Sequence, residues 1–517
     1  MSINFFVIGK NEINLASQDA IILVPDGWDD FDYKTSFDVY CTINNQKINL
    51  GTTKIGYNGQ LPGRTLTKIP NNFTALSEDW FSLGQDVDFY KNIKKHLGHK
   101  KGTELLTALR DASISNLYFD KAKDEIVFRK SLMRDVSTSS IFGQFSRIIQ
   151  GKPELTSFSF SYSEPKDPSH AGVNLYFQVE PASKPPTNVH VLIGANGVGK
   201  TTILNNMVGA ITEKHNNLAP PGTFHSTNLW GIKFPLPSDY FSSVISVSFS
   251  AFDPFIPPSD QPDRTQGIAY FYIGMKQARQ GGNFAPPKTS SDFEKELFES
   301  IGSCFSQPAK RERWFTAIKQ LESDSNFGDM DLSKDRKLPA EEGLIVAKQK
   351  IRGMSSGHFI VLLTISKLVD KVEEKTLVLL DEPESHLHPP LLSAFTRALS
   401  DLLYERNGVA IIATHSPVVA QEVPRSCVWK LTRIRAEGRS DRPDIETFGE
   451  NVGVLTREIF GLEVSKSGFH SVLQDLVNRG GTFDQILDEY DEQLGFEAQA
   501  ILRTLVRVRD KYQAKPQ

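Results

Sequence analysis

Gly194-Ala195-Asn196-Gly197-Val198-Gly199-Lys200-Thr201-Thr202 is a glycine-rich stretch closed by a lysine and two hydroxyls. That combination holds phosphates. The glycines let the backbone curl so that its N–H groups point at phosphate oxygens, and a helix starting after them adds its positive end. Lys200 would neutralise charge between the β- and γ-phosphates of ATP, and the Thr201 hydroxyl would ligate Mg²⁺. Asn196, Gly197, Val198, Gly199 and Thr202 complete the nucleotide-binding loop. Farther along, Leu377-Val378-Leu379-Leu380 runs straight into Asp381-Glu382-Pro383. A carboxylate at Asp381 suits a hard cation, and Glu382 is the natural group to orient and deprotonate an attacking water. His415 ends a second apolar run, where it can touch the γ-phosphate or that water. Lys200, Glu382 and His415 are therefore the expected catalytic set.

A fourth stretch, Met354-Ser355-Ser356-Gly357-His358, precedes the helical sequence Phe359–Leu368. Small residues at a helix start form an anion site by the same physics as the phosphate loop. An ordinary helix cap has the same pattern.

These residues need strands and helices to place them. His190–Ile193 reads as the buried strand that feeds the phosphate loop, and Thr201–Val208 as the helix after it. Val244–Phe249, Leu377–Leu380 and Val409–Thr414 read as further strands, the last parallel to the one ending at Asp381. Phe158, Phe160 and Tyr162 alternate, as do Val173, Leu175 and Phe177, which predicts paired strands. Ahead of them, residues 1–150 read as an α+β segment. Strands are expected at Phe5–Ile8, Ala20–Val24, Phe37–Ile43 and Ile48–Tyr57, with a turn at Asn44-Asn45. Helices follow from Gln85, over Glu104–Arg110 and over Ser140–Ile149. The remaining expected divisions are an ATPase lobe at 151–256, a helical insertion at 257–350, a second ATPase lobe at 351–435 and a helical C-terminal region at 436–517. Phe293, Leu297 and Ile301 mark one insertion helix, and Trp314, Ile318 and Leu321 another. Without sustained heptads the insertion is no long coiled-coil arm. Ile501, Leu502, Leu505 and Val508 form a stripe on the last helix, readable as core packing or as a docking face.

The four motifs in this order resemble the ABC-type ATPase superfamily over roughly residues 155–435. The resemblance implies an α/β P-loop ATPase head that takes ATP and Mg²⁺, with Thr201 and Asp381 on the metal. It also implies that Ser355, Ser356 and Gly357 of one copy contact the γ-phosphate held by another, so that heads close on ATP as a homodimer or higher oligomer. The run Asp381-Glu382-Pro383-Glu384-Ser385-His386-Leu387-His388-Pro389 is similar to the branch holding recombination-mediator, SMC-like and overcoming-lysogenization-defect (OLD) ATPases. Two features depart from the pattern. His358 stands where the signature usually has Gln or Glu. Val244–Phe249 leads into Ser250-Ala251-Phe252-Asp253 with no Q-loop glutamine, which points to slow turnover or a sensor rather than a motor. The whole-chain layout resembles the PtuA ATPases of Septu and retron-associated antiphage systems. That would imply a partner HNH nuclease of the PtuB type and, in retron versions, a reverse transcriptase with its RNA–DNA product. The alternative is an SMC/RecF-like DNA-repair ATPase that binds DNA directly.

Composition narrows these readings. At 517 residues with 39% hydrophobic and 23% charged content, the chain has room for two or three domains. A formal net charge of -4 gives no global pull toward nucleic acid, so direct DNA binding would need a local patch. The candidates are Lys94, Lys95, His96, Lys100 and Lys101; Lys310, Arg311 and Arg313; and Arg425, Lys430, Arg433, Arg435, Arg439 and Arg442. Such runs are usually solvated faces. A built-in OLD-type nuclease would need a Toprim strand pattern, which Glu437-Gly438 only echoes. Asp475, Asp484, Asp488 and Asp491 sit in helical sequence. His386 and His388 read as packing or capping residues, being too few for a metal site. Cys41, Cys304 and Cys427 are expected as buried thiols. With no signal-like start and no spanning stretch, a soluble, cytoplasmic protein without a membrane is expected.

Overall fold

A computed structural model of the chain describes residues 3–9, 20–43, 46–138, 140–151, 155–166, 171–212, 222–227, 233–250, 255–263, 267–277, 287–434, 437–461 and 468–513. The expected turn at Asn44-Asn45 lies outside them.

Short strands with alternating apolar residues open the chain: β1 (Asn4–Val7), β2 (Ala20–Pro25), β3 (Tyr33–Lys34), β4 (Ser36–Ile43), β5 (Gln46–Tyr57), β6 (Gly63–Arg64), β7 (Asn72–Phe73) and β8 (Trp80–Gly84). Six of them form a sheet in the order β7-β1-β2-β4-β5-β8. Asp86 caps the helix α1 (Val87–Ala108) by accepting the backbone N–H of Asp88. That helix breaks at Gly98, whose φ of 73° lies in the left-handed region. The two helices expected before and after this point are thus arms of one kinked helix. Two shorter helices, α2 (Asn116–Ala122) and α3 (Ser146–Ile149), follow. The expected helix over Ser140–Ile149 starts as a wide π-type turn at Ser140–Phe145. Aromatic residues, among them Phe37, Phe81, Phe89, Tyr90 and Phe145, fill this domain's own core.

The next elements are β9 (Phe158–Glu164), β10 (Val173–Val179), β11 (Val189–Ile193), α4 (Lys200–Thr212), β12 (Thr223–Thr227), β13 (Lys233–Pro235), β14 (Ser243–Ser248) and β15 (Ala269–Gly274). After them come α5 (Ser290–Ser306), α6 (Pro308–Leu321), α7 (Ser325–Met330), α8 (Ala340–Ile351), α9 (Ser356–Lys371), β16 (Thr376–Asp381), α10 (Pro389–Glu405), β17 (Val409–Thr414), α11 (Pro417–Gln421), β18 (Val428–Ile434), β19 (Glu437–Asp441) and α12 (Val452–Phe460). The paired strands read from the sequence are β9 and β10, antiparallel, with Phe160 opposite Phe177.

A seven-stranded sheet runs β15-β14-β16-β17-β11-β18-β19. Its strands are parallel except for the last. Both faces are covered, as a parallel sheet requires. Val191, Ile193, Val378, Leu380, Ala410 and Ile412 enter a core beneath α5, α6, α9 and α10. Their neighbours Leu192, Leu377, Leu379, Ile411 and Ala413 enter another core, with Leu204 and Met207 of α4 and Phe160 of β9. This is a mixed α/β fold in which the glycine-rich loop leaves a central strand of a covered parallel sheet.

Two expected divisions need correction. The stretch 257–350 is not wholly helical, because β15 pairs with β14 along its full length as an edge of the central sheet. Likewise 436–517 begins with β19, which extends the same sheet from β18. β15 is a short apolar run set among polar residues, and β19 (Glu-Gly-Arg-Ser-Asp) holds no apolar residue that would show a strand period. The final helices, Phe469–Arg479, Phe483–Glu489 and Phe496–Gln513, share a separate small core. Leu502 is buried in it, with Ile501 and Leu505 packed against it and Val508 left exposed. Among the described residues no helix is long and apolar enough to cross a membrane. All three cysteines are buried thiols.

Candidate functional site

Because β16, β17 and β11 are neighbours, everything at their carboxyl ends meets at one edge of the sheet. The phosphate loop leaves β11 there and enters α4. Gly197 and Gly199 take φ values of 80° and 101°, which side-chain-bearing residues adopt at a cost. Gly194 is needed for a different reason: a Cβ there would overlap the carbonyl of Leu431 on the adjoining β18. Lys200 is buried, and its Nζ donates to the carbonyls of Gly194 at 2.9 Å and Ala195 at 3.1 Å. Burial draws its ammonium below the usual lysine range, opposed by the charges of Glu382, Glu384 and Asp381.

Thr201 Oγ1 lies 2.9 Å from both carboxylate oxygens of Asp381. A hydroxyl and a carboxylate meeting beside a phosphate cradle are the donor set that Mg²⁺ takes. The residues present therefore fit a magnesium nucleotide, with Thr201 and Asp381 on the metal and the loop N–H groups and Lys200 on phosphate oxygens. Bound there, the metal would screen charge on the phosphates.

Glu382 follows Asp381 in left-handed backbone conformation, with φ 47° and ψ 58°, and donates its N–H to Ala413 on β17 at 2.8 Å. The twist turns the chain sharply out of the strand, and the Glu382 carboxylate reaches within 3.7 Å of His415 Nδ1. Sequence reasoning assigned no role to Glu384. Its side chain is buried, and its Oε1 accepts from Thr414 Oγ1 at 2.6 Å and from the His415 backbone N–H at 2.7 Å. The same oxygen stands 3.2 Å from His415 Nδ1. Glu384 therefore fixes the histidine from both its backbone and its ring. The only sequence signal was its place inside the acidic run after the strand.

Ser355, Ser356 and Gly357 sit at the start of α9, where Ser355 is the N-cap residue. The Ser355 hydroxyl bonds His358 Nδ1 at 2.6 Å. Gly357 is held tightly, since a Cβ there would come within 2.6 Å of the His386 carbonyl. These residues thus pack against the turn after β16. The structure brings together Lys200, Thr201, Asp381, Glu382 and His415, and keeps the Ser355 hydroxyl on partners outside that cluster. The part of the expected Q-loop at Ala251–Asp253 lies outside the described residues.

One of the three basic clusters is chiefly structural and another is so in part, with Arg425, Arg433 and Arg439 exposed. Lys310 and Arg313 are buried in ion pairs with Asp135, Asp370 and Asp86, while Arg311 lies over the rings of Phe305 and Phe315. Arg442 stacks 3.6 Å from the Trp429 ring centre, and Lys430 pairs with Glu458 at 2.9 Å. Arg435 lies outside the described residues. Lys94, Lys95, Lys100 and Lys101 on α1 are exposed, with His96 half-buried among them. Glu437 is exposed on β19, and Asp475, Asp484 and Asp488 lie on the final helices, with Asp491 in the turn before the last of them. His386 turns its ring toward Phe249. His388 stands at the N-cap of α10 without capping it, and pairs with Asp324 instead.

Over 508 residues the chain is 45% identical to protein ea59 of Escherichia phage lambda, an alignment that covers 94% of both chains. The chain belongs to the ea59 family. Residues 279–420 of this ea59 relative also match the family model of an AAA domain described as a putative AbiEii toxin of a type IV toxin–antitoxin system. That match spans the signature, Asp381–Glu382 and His415, and leaves out the phosphate loop. Among solved structures, the SMC head domain from Thermotoga maritima is 12% identical with a TM-score of 0.29, covering 55% of this chain and 98% of that one. An ATP-binding cassette of an ABC transporter in its ADP conformation is 13% identical with a TM-score of 0.31, covering 60% and 100%. Similarities this distant add no weight. The assignment of the ea59-family fold rests on strand order and loop geometry.

Proposed function

We propose that this chain binds MgATP in its phosphate loop, closes on a second copy to complete the site, and hydrolyses the nucleotide slowly as a switch. One observation carries the reading. Lys200, Thr201, Asp381, Glu382 and His415 converge on one sheet edge, whereas Ser355 makes its contacts with His358 at the start of α9. A site divided in this way is completed when the signature of a second head supplies donors to the γ-phosphate. Glu382 then takes a proton from the attacking water, and His415, held by Glu384, steadies the γ-phosphoryl group under attack while ADP leaves.

The activity controlled by closure is assigned to another chain, an HNH-type nuclease in an antiphage complex, with a reverse transcriptase and its RNA–DNA product in retron versions. The order of an N-terminal domain, a divided ATPase head and a terminal helical unit supports this. The phage origin of ea59 and the toxin description of the matched domain family also suit a role in phage biology. A second reading, an SMC/RecF-like ATPase that binds DNA itself, is favoured by the exposed lysines of α1. Tight DNA binding by the purified chain alone would support it.

The test is the concentration dependence of turnover. A composite site predicts that ATP hydrolysed per chain rises with protein concentration until dimerisation saturates. Turnover per chain that stays constant over a hundredfold dilution, about 10², would overturn the dimeric mechanism.

A further inference from the structure

Asp324 lies just ahead of α7, in the helices between β15 and the signature, and is 34 positions before His358. Its side chain is buried and touches two histidines from different parts of the head. Oδ1 is 3.0 Å from His358 Nε2, and Oδ2 is 3.1 Å from His388 Nε2. Oδ1 also accepts the backbone N–H groups of Asn326 at 3.0 Å and Phe327 at 3.2 Å. Burial pushes this carboxyl up, but the Phe327 N–H, His358 and the Asn326 N–H hold it below the usual carboxylate range.

Proton counting then constrains the signature serine. An ionised carboxylate has no hydrogen to give, so the His358–Asp324 contact requires a hydrogen on Nε2. A neutral His358 fixed in that tautomer offers only a lone pair at Nδ1. The Ser355 hydroxyl, 2.6 Å away, must donate to it. The single hydroxyl hydrogen of Ser355 is then committed within its own chain and is not free for a phosphate oxygen. When Nδ1 gains a proton the bond reverses: the ring donates, Ser355 Oγ accepts, and its hydrogen becomes available.

We infer that Asp324 is a positioning residue that fixes the tautomer of His358, so that Ser355 becomes a phosphate donor only when His358 takes up a proton. The inference rests on the proposed closure of two heads on ATP. Closure on the γ-phosphate would then be proton-linked, because the incoming negative charge favours the imidazolium. The other groups facing His358 are the Asn326 amide, whose Nδ2 is 3.2 Å from Nε2, the Phe327 ring at 5.4 Å, and His388 across Asp324. His388 is the one other titratable ring on the carboxylate among the described contacts, so it needs its own control.

The experiment uses the full chain carrying Glu382→Gln, to separate closure from hydrolysis. The dimerisation constant in saturating MgATP is measured by sedimentation from about pH 6 to about pH 8.5. The parent is expected to dimerise more tightly as pH falls, by about tenfold or more per pH unit at the alkaline end. Asp324→Ala removes the oxygen that holds the Nε2 hydrogen, frees the other tautomer and should flatten that slope, while nucleotide binding to the single chain is unchanged. His358→Gln should also flatten it, and His388→Gln should keep it. An Asp324→Ala chain with the parent's affinity and slope would overturn the inference. So would a parent that dimerises equally at every pH, or loss of the slope in His388→Gln alone. A parent that binds MgATP but never dimerises would sink the proposed closure as well, which distinguishes the two failures.

Discussion

At the scale of single residues, Glu384 is the most informative side chain at the site. Three groups of the β17 terminus converge on one of its oxygens, two of them on the catalytic candidate His415. Hydrogen bonds to a charged acceptor contribute about 1.5–3 kcal/mol. Glu384→Ala should therefore lower kcat by roughly 10- to 100-fold and leave the affinity for nucleotide nearly unchanged, since Lys200 and the loop are untouched. Steady-state kinetics beside equilibrium nucleotide binding checks this split, and equal losses in both would refute the positioning role. Lys200, Thr201, Asp381, Glu382 and His415 were legible in the sequence because each belongs to a short local pattern. Glu384 was visible but mute, since its role depends on β16 lying beside β17. Asp324 carried no local signal at all. Its partners come together only when the helices before the signature fold against α9 and α10.

Among the elements, α9 joins two sites. It begins at the signature and carries Asp370 in its last turn, paired with Lys310 of α6 at 3.3 Å. Lys310 also pairs with Asp135 of the N-terminal domain at 3.1 Å, and Asp135 lies 4.0 Å from Lys54 of β5. Burial acts against charge at Asp135, yet Lys310 and Lys54 hold it well below the usual carboxylate range. A parallel link runs from Asp86, the cap of α1, to Arg313 at 2.9 Å and Arg406 at 3.4 Å. Glu374, just ahead of β16, is bonded by Arg147 and by the Gln144 N–H from the first domain. Lys310→Met would leave Asp135 and Asp370 buried without their shared cation. Breaking such a pair costs about 3–5 kcal/mol, so equilibrium denaturation should show a loss of that size. A loss below about 1 kcal/mol, the range of surface pairs, would show that the seam contributes little. The helices and most strands were legible from periodicity, including the paired β9 and β10. The seam was not, because a buried lysine and a solvated one look alike in sequence. That is why Lys310 and Arg313 first read as a surface cluster.

In the molecule as a whole, the first domain is locked onto the end of the signature helix and onto the approach to β16. Under the proposed function, a partner that shifted this domain would act on both the signature helix and the strand ending at Asp381. The terminal helices, with their separate core, leave Val508 and Phe496 exposed. The strand β15 extends the sheet from within the segment expected to be helical, so that segment belongs to the head rather than to an arm. All of this serves the central claim that ATP joins two copies of the chain. The most direct measurement is the solution mass of the Glu382→Gln protein by light scattering, with and without MgATP. The account predicts that MgATP doubles the mass and that adding Lys200→Ala abolishes both nucleotide binding and the doubling. A mass that stays the same when nucleotide is demonstrably bound would contradict it.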